Sequence, residues 1–581
     1  MIAINIREVH VSMGNIERVN IARGIVKAPL VLKNARVVNV FSGTIDPCDV
    51  AIADGIVCGL GTYHGETEID LRGRYLSPGF IDGHVHIESS MLTPPQFARI
   101  VLPWGTTTVI ADPHEIANVR GVEGVLYMIE SAAKTPLDVF IMIPSCVPTT
   151  PFETAGACIG PEAVKRLLAE PTVLGLGEVM DYPQVLAGGA SIHAKIAAVG
   201  DRPVDGHAPT LTGNDLNAYI GAGIKTDHEC RTAAELTERV RLGMYVHLRE
   251  GSHTKNLLDL LPGLTAQNKD RVTFCTDDKH PEDIRRDGHI NHNVNLAVRA
   301  GVDPIDAIRM ATINTATCYR LERYGAVAPG YYADLVVFDD LQDIHPELVF
   351  KKGVLAAEGG IARFDAATIA NGHVVDTVRI DPNSVSFDLP LRSNPVRVIG
   401  LDTHNASTTK RSRVVRIENG KFAFEPGRDL LKLAVIERHQ GTGNVGLGLV
   451  EGYGLKGGAV AMTIAHDSHN LIVIGDNDRD MRIATAKTVA IGGGIVLVRD
   501  GIVAEFLPLE VGGIMTTAAA DVVERRLTSM GKIIRTMGVD ATLEDPFLAL
   551  AFLSLPVIPE LKLTDKGLFD VALFRLVPLE E

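Results

Sequence analysis

The chain has 581 residues, enough for two to four domains, and at 46% hydrophobic and 22% charged residues its composition is that of an ordinary globular protein. A net charge of −15 provides no broad cationic surface, and one Trp with 5% aromatics leaves little for base stacking, so nucleic acid is excluded as a partner. The seven cysteines form no CxxC pair, which argues against a zinc ribbon or a disulfide framework and for a reducing, cytoplasmic location.

The N-terminal stretch "MIAINIREVHVSMGNIERV" interleaves charges with its apolar residues and lacks the apolar core of a signal peptide. No run of about eighteen uncharged apolar residues occurs anywhere, so no membrane partner is expected. Residues 24–76 read as short strands and turns ("APLVLKNARVVNV", "DVAIADGIVCGLG", "TEIDLRGRYLSPG"). The style resumes in "GAVAPGYYADLVVFDD" and "LVFKKGVLAAEGG". One small composite β-domain, 1–76 plus 325–375, accounts for both pieces.

Between them, strand-like segments fall at 80–88, 105–112, 138–145, 173–180, 203–209, 224–229, 245–250 and 272–278. Helix-like stretches such as "GVEGVLYMIESAAK", "GPEAVKRLLAE" and "TAAELTERVRLG" separate most of them. Near-continuous apolar strands alternating with helices predict an α/β fold, a (β/α)₈ barrel over 77–324. Residues 380–581 form a further β-rich domain of α/β or α+β kind: "VRVIGLD", "LLKLAVIERH", "GAVAMTIAHDSHNLIVIGDN", "TVAIGGGIVLVRDG". Its "GTGNVG" (441–446) fits GxGxxG, but a dinucleotide site needs a helix next, and "LGLVEGYGLKGG" is too rich in glycine for one.

In "PGFIDGHVHIESS" (78–90) two histidines, His84 and His86, end the first barrel strand. Residues i and i+2 share a strand face, so both imidazoles reach one ion. A lone HxH is no more than two polar residues at a strand end. Other strand ends carry Glu178 on the fourth, His207 on the fifth, His228 on the sixth, and Asp277 with Asp278 on the eighth. Taken singly, His207 or His228 reads as a satisfied core histidine and Glu178 as a solvated loop residue. Together they converge on the catalytic rim of the fold, where such unpaired polarity calls for a cation. Nitrogen and carboxylate donors without thiolate suit Zn, Mn or Fe. Four His and two carboxylates exceed one open catalytic site and fit two metals about 3.5–4 Å apart clamping a shared hydroxide, with Glu178 able to bridge.

"SPGFIDGHVHIESS", the His on strands five and six and the Asp on strand eight resemble the amidohydrolase superfamily. "DPHEIANVRG", "DGHAPTLTG", "TDHECRTAAE", "CTDDKHPEDI" and the late "AHDSHNLIVIGDN" resemble its adenine deaminase family, over nearly the whole chain from about residue 25. Many two-metal members bridge with a carbamylated Lys on strand four. This chain has Glu178 there, and Lys225 lies on the wrong strand. The resemblance implies conversion of adenine and water to hypoxanthine and ammonia, with two divalent ions, manganese or iron, zinc being the alternative. It implies His84, His86, Glu178 and Asp277 around one metal and Glu178, His207 and His228 around the other. A homo-oligomer, a dimer, is expected.

In this reading Asp277 moves the proton of the attacking hydroxide to the leaving amine. A second acid protonates the ring. Asp112, His114 and Glu115 in "ADPHE" are the nearest candidates, with Glu115 preferred; the plainer reading of this trio is a turn with a helix cap. Asp278 is a candidate for a purine N–H, and Ser89, Arg249 and Glu250 for further substrate contacts. His466 and His469 in "AHDSHN" lie between two apolar strands. They are read as a lid over the barrel mouth or ligands of an extra metal, against a surface hairpin. The H-x-E with P-C-x-x-C pairing of another deaminase fold is absent. The rival readings are an N-acetyl sugar deacetylase or cyclic-amide hydrolase on the same barrel, and a non-enzymatic assembly protein.

Overall fold

A computed structural model describes residues 14–581 apart from 368, 370, 371, 402–406 and 426. The first thirteen residues, the start of the stretch read for a signal peptide and of the expected composite domain, lie outside the described residues. So do the other exceptions, which fall within the composite and C-terminal domains as read above.

One nine-stranded sheet takes strands from both sides of the barrel. Ala28–Asn39 pairs antiparallel with Thr44–Ala53 and parallel with Gly65–Asp70 and Tyr75–Pro78. Tyr75–Pro78 then pairs antiparallel with Leu335–Phe338, which leads to Leu348–Lys351 and Val354–Glu358. Val37, Leu76, Leu335, Val337 and Phe350 bury one face of it. The chain therefore leaves this sheet at Pro78 and returns at Leu335, which anchors both ends of the barrel.

The barrel strands are β1 (Phe80–Val85), β2 (Thr106–Ala111), β3 (Asp138–Ile143), β4 (Val173–Val179), β5 (Val204–Gly206), β6 (Thr226–Asp227), β7 (Tyr245–Arg249) and β8 (Val272–Cys275). β1 to β5 form one parallel ladder and β6 to β8 another. Lys225 N–H to the Val204 carbonyl (3.0 Å) joins them on one side, and Asp277 N–H to the His84 carbonyl (2.9 Å) closes β8 onto β1. This is the eight-stranded barrel expected from the sequence. β5 and β6 are much shorter than their apolar runs because side chains replace the ladder there: the Thr226 hydroxyl accepts from Gly206 N–H (3.1 Å) and donates to Asp205 (2.8 Å). After β2 the chain enters helix α1 (His114–Ala132), broken at Gly121 where φ is +57°. "ADPHE" is thus a strand end running into a helix start, and Glu115 stands in the first turn, where the helix dipole favours a carboxylate.

The C-terminal region holds an eight-stranded, mostly antiparallel sheet. Ala434, Ala461, Val473, Val496 and Val498 pack against α2 (Asp478–Ala490) through Met481 and Ala484. Within "TVAIGGGIVLVRDG", "TVA" is the end of α2, with Thr485 and Thr488 on its buried face, and the strand begins at Gly494. "GTGNVG" is a hairpin connection into the strand Val445–Glu451, and the Glu437 carboxylate accepts the N–H groups of Gln440 (2.7 Å) and Thr442 (2.8 Å) to shape it. No helix follows.

The turn 465–470 sits on the barrel mouth. The Thr149 hydroxyl donates to Asp467 (2.7 Å) and the Asn470 amide to the Thr154 carbonyl (2.9 Å).

Beneath His207 and His228 lies a fully buried ion pair. Arg239 donates from Nε to Asp227 (2.5 Å) and from its terminal nitrogen to the Ala208 carbonyl (2.9 Å), and Asp227 accepts Glu229 N–H (3.0 Å). Arg239→Leu leaves a buried carboxylate unpaired and should cost about 3–5 kcal/mol. Thermal and denaturant unfolding should show it, with the double change Arg239→Leu/Asp227→Asn less damaging than the single one. Equal damage in both would deny the pair its role.

Candidate metal centre and substrate cavity

Strand alternation puts His84 within β1 and His86 just past its end, rings 4.7 Å apart and edge to face. β4 supplies Glu178, and the residues that follow β5, β6 and β8 supply His207, His228 and Asp277. Glu178 is shared. Its Oε1 lies 3.3 Å from His86 Nε2 and 4.0 Å from His84 Nε2; its Oε2 lies 2.8 Å from His207 Nδ1 and 3.4 Å from His228 Nε2. Asp277 Oδ1 lies 3.1 Å from His86 Nε2 and 3.9 Å from His84 Nε2. Two donor groups result, His84/His86/Glu178 and Glu178/His207/His228, each with its ligating atoms within 4.8 Å of one another.

A divalent cation fits these residues. His84 Nε2 is buried without a hydrogen-bond partner. The His84 ring also stacks on His228 at 4.3 Å, a contact suited to two neutral imidazoles. His86 is oriented from behind: its Nδ1 bonds the Asp112 carbonyl at 2.8 Å, which turns Nε2 into the cluster. Burial and the neighbouring imidazoles hold the His84 ring well below its ordinary pKa. Burial alone would raise Glu178, but hydrogen bonds from His114, His207, His228 and His86 hold it well below the usual carboxylate range. Asp277 is likewise held low: the Arg249 guanidinium, 2.5 Å from Oδ2, and His86 outweigh burial. Its backbone sits in the left-handed region (φ +58°), a conformation costing a non-glycine residue about 1–3 kcal/mol.

A cavity of about 410 Å³ lies between the barrel mouth and the C-terminal region. Ser89, Glu115 and Asp278 line it from the barrel, and His466, His469 and Phe547 from the other side. Ser89 donates to Asp278 at 2.5 Å. Glu115 is bracketed by the turn: His466 Nδ1 lies 2.8 Å from its Oε1, and His469 Nε2 bonds its Oε2. Burial raises Glu115, yet His466, His469 and His114 overcome it and hold the carboxyl well below its ordinary value. Glu115, His466 and His469 are a further group able to hold a metal ion. His469 Nδ1 accepts Ala465 N–H (3.3 Å), however, which leaves its proton on Nε2 and favours a hydrogen bond to Glu115 over a metal bond.

The other sequence-read residues are placed differently. Asp112 supports rather than lines the cavity: its Oδ2 accepts Glu178 N–H (2.9 Å), and a Cβ at Gly177 would lie 2.1 Å from it. His114 packs into the cluster, with Nδ1 3.3 Å from Glu178 Oε1. Arg249 spans Asp277 and Glu229, and Glu250 pairs its backbone with Lys255; neither is among the cavity-lining residues. Two carboxylates escaped sequence reasoning. Glu229 lies 3.7 Å from His228 and bonds Arg249, which against burial brings it to about 2. Glu88 lines the cavity, with Oε1 accepting Ile116 N–H (3.2 Å) and Oε2 unpartnered. Its position two residues after His86 was the available signal.

Residues 75–380 match the model of the amidohydrolase family, and residues 405–575 match that of the adenine deaminase C-terminal domain. The chain is similar to adenine deaminase 2 of Carboxydothermus hydrogenoformans, 49% identical over 562 residues (97% of this chain, 98% of that one). An adenine deaminase of Clostridium acetobutylicum is 47% identical over 566 residues (97% and 99%), and one of Nitratidesulfovibrio vulgaris 50% identical over 560 (96% and 97%).

Glu178→Gln keeps the shape of the shared ligand and removes its charge from both donor groups. Loss of residues that merely orient ligands already costs about 10–100-fold in metal affinity. Elemental analysis of the purified variant should therefore show both donor groups depleted of metal. Full metal content would remove Glu178 from the centre.

Proposed function

The chain belongs to the adenine deaminase family of the amidohydrolases, and on that premise we propose that it hydrolyses adenine to hypoxanthine and ammonia. The observation that carries the reading is one buried carboxylate, Glu178, shared between two pairs of imidazoles beside Asp277, with a cavity fit for a small polar ring lined by Asp278, the next residue, and by Glu115. His84, His86, Glu178 and Asp277 would hold one divalent cation and Glu178, His207 and His228 a second, manganese or iron with zinc as the alternative. When bound, these cations supply the positive charge that lowers the pKa of water to near neutrality.

The chain's own groups do the rest. Asp277, kept ionised by Arg249, accepts a proton from the attacking water and passes it to the amine leaving C6. Asp278, held by Ser89, accepts an N–H of the purine. Glu115 hands a proton to the ring nitrogen next to C6. The turn carrying His466 and His469 closes the cavity against water, which strengthens each of these contacts. In this division of labour 1–76 with 325–375 anchors the barrel of 77–324, and 380–581 supplies the lid. The reading includes a homodimer acting in the cytoplasm, in keeping with seven cysteines without a disulfide. Against a non-enzymatic barrel weighs the retention of all six ligands.

The purified protein should release ammonia from adenine, lose that activity with a chelator, and regain it with Mn²⁺ or Fe²⁺. Asp277→Asn should lower kcat by about 10²–10⁴-fold, the usual worth of a placed proton-transfer group. Ammonia from no purine at all, or a near-normal rate in Asp277→Asn, would refute the assignment.

A further inference from the structure

Glu115 poses a problem that its neighbours answer. A carboxylate enclosed by three histidines is ionised at rest and has no proton of its own to give a purine. We propose that His466 is the proton source behind Glu115, so that the barrel site is chemically incomplete without a side chain from the C-terminal domain. This rests on the adenine reading above.

Geometry selects His466 among the three. Its Nδ1 lies 2.8 Å from Glu115 Oε1, and a carboxylate only accepts, so the shared proton belongs to Nδ1. His469 cannot serve: its Nδ1 already accepts a backbone N–H, and giving up the Nε2 proton would leave an imidazolate. His114 lies farther from Oε1 (3.3 Å), and its other nitrogen is turned to Glu178. His466 lines the cavity and so has a route to water. Phe552 stacks on its ring (5.1 Å between centroids, 21°), and Ser554 Oγ holds its carbonyl (3.2 Å). The charged groups facing it are mostly acidic: Glu115, Asp467 at 3.8 Å and Asp278, with His469 the one opposing ring. Burial lowers the ring, but Glu115 and these acids bring it up to about 9.

The protons balance. His466 Nδ1–H passes to Glu115 Oε1 and from there to the ring nitrogen next to C6, and hypoxanthine keeps it. One proton of the attacking water leaves with ammonia through Asp277. The other is released when the C6–OH becomes C6=O and returns His466 to its charged form.

His466→Asn and His466→Ala test this, with kcat, KM for adenine, metal content and response to added imidazole as readouts. The Asn amide can still donate to Glu115 but cannot release its proton, and it keeps the test valid should the Ala variant fold poorly. Both should lose kcat by about 10²-fold, within the range for proton transfer by a placed side chain, with KM within about threefold and metal content unchanged. Imidazole should restore the Ala variant at least about tenfold and leave the Asn variant unaffected. Wild-type kcat in His466→Asn would reduce His466 to an orienting group and overturn the proposal. So would a loss of bound metal relative to wild type, which would make it a ligand, or a folded, fully metallated Ala variant indifferent to imidazole. Wild-type protein inactive on adenine would instead defeat the preceding reading.

Discussion

Everything around the barrel mouth depends on the Glu178 carboxylate. Two oxygens face five imidazoles in a site almost closed to water. A buried charge survives only if it is paired and hydrogen-bonded. The barrel meets that condition in successive layers. Asp112 receives Glu178 N–H, Gly177 leaves room for Asp112, and the Asp112 carbonyl turns His86. On the far side the Arg239–Asp227 pair fixes the segments that carry His207 and His228. Each layer costs folding free energy that an apolar core would not, and the return is a set of donor atoms held within 4.8 Å of one another.

The turn 465–470 is held by the same logic with the opposite charge. Arg438 is fully buried in the C-terminal domain, and among the described residues its side chain hydrogen-bonds to no carboxylate. It donates instead to the carbonyls of His469, Thr377 and Gly512 and to the Thr377 hydroxyl. Burial brings it down to about 9, against a smaller pull from Glu437. His439 adds a bond to the Ser468 carbonyl at 2.6 Å. The cation thus serves as a clamp on backbone that would otherwise leave unpaired carbonyls beneath the turn. This is why a polar hexapeptide is stable between two buried strands, and why His469 tolerates a left-handed backbone (φ +53°).

The barrel is legible because its strands are apolar runs ending in histidines or carboxylates, with a period-two histidine pair on β1, a pattern that local chemistry alone imposes. Strand ends carry all six proposed ligand positions, Glu178 on β4 among them. Residues whose duty depends on long-range packing were not legible. Arg249 reads as a substrate contact because it ends β7, yet it turns sideways to neutralise Asp277 and Glu229. Glu229 adjoins His228 in sequence and passed unremarked for lack of any periodic signal. Asp112 and Glu115 lie three residues apart, and only the start of α1 between them sends one beneath Glu178 and the other into the cavity. The "TVA" of α2 holds β-branched residues that suit a strand locally, while packing of Met481 and Ala484 on the sheet decides for a helix.

The pairing of Glu115 with a turn more than three hundred residues away explains why the C-terminal domain belongs to this enzyme rather than accompanying it. The barrel alone supplies carboxylates in excess at the cavity: Glu88, Glu115 and Asp278 all face it, and Glu88 has an oxygen with no partner. The turn brings two imidazoles to Glu115 and pairs its charge. A purine has few atoms with which to hold itself in place. An enclosure made of two domains can therefore read both edges of the ring at once, which a barrel rim open to water cannot do with the same contacts.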